Sequence, residues 1–145
     1  MPERGRVLAI DVGERRVGLA ISDPTGTLAR PLSALAVAGA ADAVARVARE
    51  IARLSSEDDG LAAIVVGLPV RLDGSPNAQT KKVEAFIEEL RACTPLPIAG
   101  ADERLTSREA ESRLAEREPD WRRRKAKLDA AAAAIILQDY LDRSR

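Results

Sequence analysis

Three carboxylates stand where this chain could use them for chemistry: Asp11, Glu103 and Asp129. Asp11 ends a short apolar run, Glu103 follows a segment around Ile98, and Asp129 belongs to an alanine-rich stretch near the C-terminus. On a helix, Asp129 shares a face with Ala132, Ala133, Ile136 and Tyr140, at steps of three, four, seven and eleven. An ionised carboxylate on an inward face costs on the order of several kcal/mol unless a cation or a proton neutralises it. If that helix packs beside the first strand, the three acids converge, and a hard divalent ion such as Mg²⁺ or Mn²⁺ suits their oxygens. Each acid also has a plain structural alternative. Asp11 before Gly13 favours a turn, Glu103 can pair with Arg104 or Arg108, and Asp129 can pair with Lys125 or Lys127 while complementing a helix start.

Composition narrows the chemistry. The 145 residues include no histidine, which excludes the Ser-His-Asp triad, the Cys-His pair, the HExxH zinc site and any imidazole proton shuttle. The single cysteine, Cys93, has no disulfide partner and cannot build a thiolate cluster, which points to a reducing, cytoplasmic compartment. Carboxylates, lysines, hydroxyls and hard metal ions remain. Lys+Arg and Asp+Glu both number 23, so the formal charge is zero and any attraction for nucleic acid must come from local clusters. One such cluster is the run Arg122, Arg123, Arg124, Lys125, Ala126, Lys127 beside Trp121, which reads equally as a phosphate-gripping patch or as a solvated loop. Aromatic residues make up 2%, too few for a base-stacking platform. The N-terminus lacks the apolar region of a signal peptide, and no apolar run approaches the roughly 18 residues that cross a bilayer. The expectation is a single domain, 1–145, with no membrane association.

The elements that must position the acids follow from periodicity. Val7 to Ile10 is an apolar run of the kind buried on both faces, with Asp11 at its end, and Arg16 to Ser22 resumes the pattern as a hairpin partner around Val12 to Arg15. Leu28 to Val37 gives a third extended segment after the turn signal Asp23-Pro24-Thr25-Gly26. Val44, Val47, Ile51 and Leu54 place one apolar stripe on a helix from about Ala41 to Leu54. Leu61 to Val66 is a further buried strand. A second helix carries Val83, Phe86, Ile87 and Leu90, and a short strand surrounds Ile98. Thr106 and Glu109 fit a capping box opening a helix that Pro119 closes, and a last helix spans about Arg123 to Leu141. The order β-β-β-α-β-α-β-α-α predicts an α/β fold: a mixed five-stranded sheet, with an antiparallel three-strand meander joined to parallel crossover strands and flanked by helices. In the run Ala130 to Ala134, alanine either reflects compositional bias or lets the last helix sit close to the sheet.

Four blocks then read together. Asp11 to Asp23 (DVGERRVGLAISD), Val66-Gly67-Leu68-Pro69 with Asp73-Gly74-Ser75, Asp102 to Thr106 (DERLT), and Lys127 to Leu141 (KLDAAAAAIILQDYL) closely resemble the YqgF family, also called RuvX, in order and over nearly the whole chain. The resemblance implies an RNase H-like fold and a cytoplasmic bacterial nuclease linked to maturation of the 5′ end of pre-16S rRNA, with Holliday junction resolution as the alternative. It places the family's acidic triad on Asp11, Glu103 and Asp129, as catalytic residues and metal ligands. Asp102, Glu109 and Asp139 remain candidates for a fourth ligand. The implied reaction is phosphodiester hydrolysis without a covalent intermediate, with two ions roughly 4 Å apart acting on the attacking water and the departing 3′ oxygen. Arg16, Arg104, Lys127, Arg122, Arg123 and Arg124 are candidate contacts for the phosphates of a nucleic-acid partner, pre-16S rRNA or branched DNA. Gly13 and Gly18 let the backbone pass near the site. Ser107 and Arg15 depart from the residues most common in that family, threonine and lysine, without touching the acids.

Two other readings stay open. The pattern D-x-G-x-x-x-x-G, Asp11 to Gly18, also resembles the phosphate loop of actin-like ATPases, but the chain is too short for their two related halves. A non-catalytic RNA-binding factor would use the basic run and keep the acids for folding. A resolvase would be expected to act as a dimer, and both monomer and homodimer fit the sequence.

Overall fold

A computed structural model describes residues 5–103, 112, 115, 116 and 130–143. The strands are β1 (Arg6–Val12), β2 (Arg16–Ser22), β3 (Ala29–Ala36), β4 (Leu61–Leu68) and β5 (Ile98–Asp102), and the helices are α1 (Ala40–Ser55), α2 (Ala78–Arg91) and α3 (Ala131–Arg143). One sheet holds all five strands in the order β3-β2-β1-β4-β5. β1, β2 and β3 pair antiparallel, while β1–β4 and β4–β5 pair parallel, so the meander and crossover units expected from the element order are both present. β1 extends one residue beyond Asp11, to Val12, where a turn begins. The Gly13 N–H donates to the Arg16 carbonyl at 2.9 Å. A Cβ at position 13 would lie 2.7 Å from that oxygen, so the glycine closes the hairpin.

Strand alternation divides the apolar residues between two faces. On one, Leu8, Ile10, Val17, Leu19, Ile21, Ile64 and Val66 pack against α1 and α2, which contribute Val44, Val47, Ile51, Leu54, Val83, Phe86, Ile87 and Leu90. On the other, alanines dominate: Ala9, Ala20, Ala29 and Val65 lie against Ala131, Ala133, Ala134, Leu137 and Leu141 of α3. The alanine run therefore does bring its helix close to the sheet. The α3 face expected to turn inward is only partly so, because Ala133 and Ile136 are buried and Tyr140 is half-buried, whereas Ala132 is exposed.

Polar side chains fasten the helices. Arg6, 7% exposed, donates to the Gly60 and Leu54 carbonyls and to Glu57, which ties β1 to the end of α1. Asn77 and Thr80 form a reciprocal capping box at the start of α2, and the Thr80 hydroxyl donates to the Pro69 carbonyl, fixing the loop that follows β4. Gln138 is fully buried; its Oε1 accepts from the Ala29 N–H at 2.9 Å and its Nε2 donates to the Thr27 carbonyl at 3.0 Å. The predicted helix opened by Thr106 and Glu109 lies largely outside the described residues; within it, Ser112, Ala115 and Glu116 are helical. The part of the last helix before Ala130 also lies outside them. Among the described residues, no helix is long and apolar enough to cross a membrane.

Candidate active site

Asp11 and Glu103 come from strands that are not neighbours. Odd-numbered positions of β1 face α3, as Ala9 does, so alternation puts Asp11 on that face near the strand's C-terminal end. Ala101 of β5 shares the face, and Glu103 follows two residues later, directly beyond the strand. The two carboxyl groups hydrogen-bond with each other. They open into a cavity of about 260 Å³ whose other lining residues, Ala132, Ile135 and Ile136, come from the first turns of α3.

The electrostatics follow from that apolar wall. Burial pushes Glu103 up to about 7, and the Asp11 charge, the hydrogen bond to Asp11 and the Asp102 charge act in the same direction. Burial also raises Asp11, with the hydrogen bond from Glu103 partly offsetting the rise. The pair therefore shares one proton, Glu103 donating to the Asp11 carboxylate. A proton held between two half-buried acids marks a place where the chain has concentrated negative charge.

The other expected site residues divide into two groups. Arg16 is exposed at the start of β2. Gly18 of the same strand pairs with Asp11, and residues 16, 18 and 20 alternate onto the α3 face, so Arg16 stands on the carboxylates' side of the sheet. Asp129, Arg104, Lys127, Arg122, Arg123 and Arg124 lie outside the described residues, as do Trp121 and Glu109. Of the remaining candidates for a fourth ligand, Asp102 ends β5 and raises Glu103 through its charge, whereas Asp139 holds an ion pair with Arg143 at 2.8 Å. Among the described residues, no three acids or other metal-ligating side chains come together. Asp23, within the first motif block, serves the fold, since its carboxylate accepts the Thr27 and Leu28 N–H groups at 2.8 Å each and holds the β2–β3 turn.

One residue of the second motif block had no role assigned to it from sequence. Gly67, in β4, lies beneath Glu103: a Cβ there would be 2.6 Å from the Glu103 Oε1 and 2.7 Å from the Ile136 Cδ1. Gly13, which the sequence offered as a turn and as a place for the backbone to pass near the site, closes the β1–β2 hairpin. A signal for Gly67 existed in the break it makes in the apolar run Ile64-Val65-Val66, but its meaning depends on which strand lies on either side.

The RuvX family model, described as Holliday junction resolvase, matches residues 5–143. The chain belongs to the RuvX family. Among its relatives, a protein of Roseiflexus sp. (strain RS-1) named "Putative pre-16S rRNA nuclease" is 42% identical, the match covering 99% of this chain and 98% of that one. A relative of the same name from Dictyoglomus thermophilum is also 42% identical, covering 96% of each chain. The solved structure titled "T. thermophilus RuvC in complex with Holliday junction substrate" superposes with a TM-score of 0.58 at 17% identity, covering 97% of this chain and 95% of that one. The RuvX chain thus has the RNase H-like architecture expected from its motif blocks.

Proposed function

We propose that this chain is a divalent-metal-dependent nuclease, one RNase H-like domain that acts in the cytoplasm on the 5′ end of pre-16S rRNA. Asp11, Glu103 and Asp129 are its metal ligands. The observation that carries this reading is the hydrogen-bonded Asp11–Glu103 pair, two acids from separated strands brought together in a desolvated cavity. The donor set fits Mg²⁺ or Mn²⁺, since hard carboxylate oxygens face one another where the charge is held down by a proton. A bound divalent ion supplies Lewis acidity toward the phosphodiester and lowers the pKa of water. The names of the relatives support rRNA as the substrate.

The chain's own residues do the rest. Asp11 and Glu103 give up their shared proton when they bind metal, acting as ligands and not as proton carriers. Ile135 and Ile136 keep one wall of the cavity apolar, which strengthens every charge interaction inside it. Ala132 and Ile136, both at the cavity, stand three and seven residues after Asp129, a spacing that supports Asp129 as the third ligand. Arg16, on the same side of the sheet, is positioned for a substrate phosphate. Arg104 and Lys127, close in sequence to Glu103 and Asp129, and the run Arg122, Arg123, Arg124 are the further phosphate contacts.

The test compares cleavage of a pre-16S 5′ leader, unstructured single strands and a four-way DNA junction in Mn²⁺, using wild type, Asp11→Asn, Glu103→Gln and Asp129→Asn. Leader cleavage by the wild type and a loss of about 100-fold or more in each variant is the expected result, because each variant lowers the charge that holds the metal. Selective cutting of the junction would move the assignment to branched DNA. RNA retention with no cleavage by any form would make the chain a binding factor.

A further inference from the structure

We propose that Gly67 is a positioning residue for the metal site: the side chain it lacks leaves the passage through which Glu103 crosses β4 to reach Asp11. This rests on the reading of the two acids as metal ligands. β4 lies between β1 and β5. With about 4.8 Å between neighbouring strands, β1 and β5 are roughly 10 Å apart. Asp11 has a single methylene, so the longer glutamate must cover most of that span over the face of β4.

Register decides what it crosses. Ile10 pairs with Val66 on β4, and Gly67 pairs with Ala101 on β5, so the β4 residue following Val66, on the α3 face, is glycine. A Cβ there would meet the Glu103 Oε1 at 2.6 Å, the Glu103 Cγ at 3.2 Å and the Ile136 Cδ1 at 2.7 Å. The backbone does not call for glycine at this position, because Gly67 is not among the glycines with positive φ. Glycine in a strand interior weakens the strand, so what position 67 gains is space, and Glu103 and Ile136 fill it. The clashing atoms are the ends of flexible side chains, so an alanine at 67 is accommodated by moving Glu103 and Ile136 rather than by breaking the sheet.

Gly100 supplies the matched control. It lies on β5, and a Cβ there would meet the Leu68 Cδ1 at 2.4 Å, on the face that carries α1 and α2 and away from the carboxylates. Its substitution disturbs packing of the same kind without touching Glu103.

The experiment measures Mn²⁺ affinity by calorimetry and metal-free thermal melting for wild type, Gly67→Ala, Gly100→Ala and the double variant Gly67→Ala with Ile136→Ala. Gly67→Ala is expected to bind Mn²⁺ about 10- to 100-fold more weakly, the range for losing a group that orients a metal ligand. Gly100→Ala should keep the wild-type affinity even where it melts earlier, and truncating Ile136 should not recover the affinity lost in Gly67→Ala. Wild-type affinity in Gly67→Ala, or equal losses in both glycine variants, overturns the proposal. A metal-free crystal structure of Gly67→Ala separates this inference from the metal reading. Glu103 turned away from Asp11 upholds it, and an intact carboxyl pair refutes it, whether or not the wild type takes up Mn²⁺.

Discussion

At the end of β5 a glutamate keeps its proton to about pH 7 because burial, the Asp11 and Asp102 charges and the hydrogen bond to Asp11 all favour the neutral form. That preference is a statement about stability. Between the ordinary value of 4.5 and about 7, the folded chain holds a proton at Glu103 that the unfolded chain has released. The pair's contribution is therefore fully present below pH 4.5 and is lost as pH rises through about 7. Asp11, raised by burial, acts in the same sense. Urea denaturation of the metal-free protein should show this contribution shrinking from pH 5 to pH 8, and Glu103→Gln, which carries no titrating proton, should flatten that part of the profile. An unchanged slope in the variant would mean that the carboxyl pair is not the source. Added Mn²⁺ competes with the proton and should stabilise more at the alkaline end. Asp11 drew notice in the sequence because an acid directly after an apolar run declares itself, and Glu103 because it follows the strand around Ile98. The role of Gly67, a residue of the second motif block, was not legible, because a missing side chain gains meaning only from the strands on either side.

At the scale of elements, a buried polar side chain, Gln138, helps to hold α3 amid its alanines. Gln138 satisfies the Ala29 N–H and the Thr27 carbonyl, joining the helix to the start of β3, and it also donates to Asp142. Gln138→Leu keeps the volume but leaves both backbone groups without their partner, at about 1–3 kcal/mol each. The expected loss is roughly 2–4 kcal/mol in chemical denaturation, and a change under about 0.5 kcal/mol, the scale of ordinary surface substitutions, would show that water replaces the amide. The strands and the first two helices were readable from periodicity, since Val44, Val47, Ile51 and Leu54 on α1 and Val83, Phe86, Ile87 and Leu90 on α2 are all buried as the stripes require. The fastenings were not. Gln138 lies on a helix whose buried face is wider than the stripe drawn through Asp129, and its partners are more than 100 positions away. The Asn77–Thr80 cap escaped because it departs from the Ser/Thr-x-x-Glu pattern that announced a cap at Thr106.

For the whole molecule, 23 basic and 23 acidic residues cancel, so no long-range positive field draws in a polyanion. Binding must then rest on a small number of local phosphate contacts, and its salt dependence counts them. Each neutralised phosphate contributes about 0.7 to the slope of log K against log salt on single strands and about 0.9 on B-form duplex. The sheet places Arg16 on the same side as the carboxylates, at the edge where β1 and β5 both end, so contacts to one strand of substrate converge on that edge. If Arg122, Arg123 and Arg124 each hold one phosphate, replacing all three by alanine should reduce the slope on a single-stranded pre-16S leader by about 2, measured by filter binding between about 50 and 200 mM KCl. The same variant should keep its Mn²⁺ affinity, because none of the three is a proposed ligand. A slope unchanged within error would assign the run to a solvated surface and leave Arg16, Arg104 and Lys127 to carry the backbone contacts.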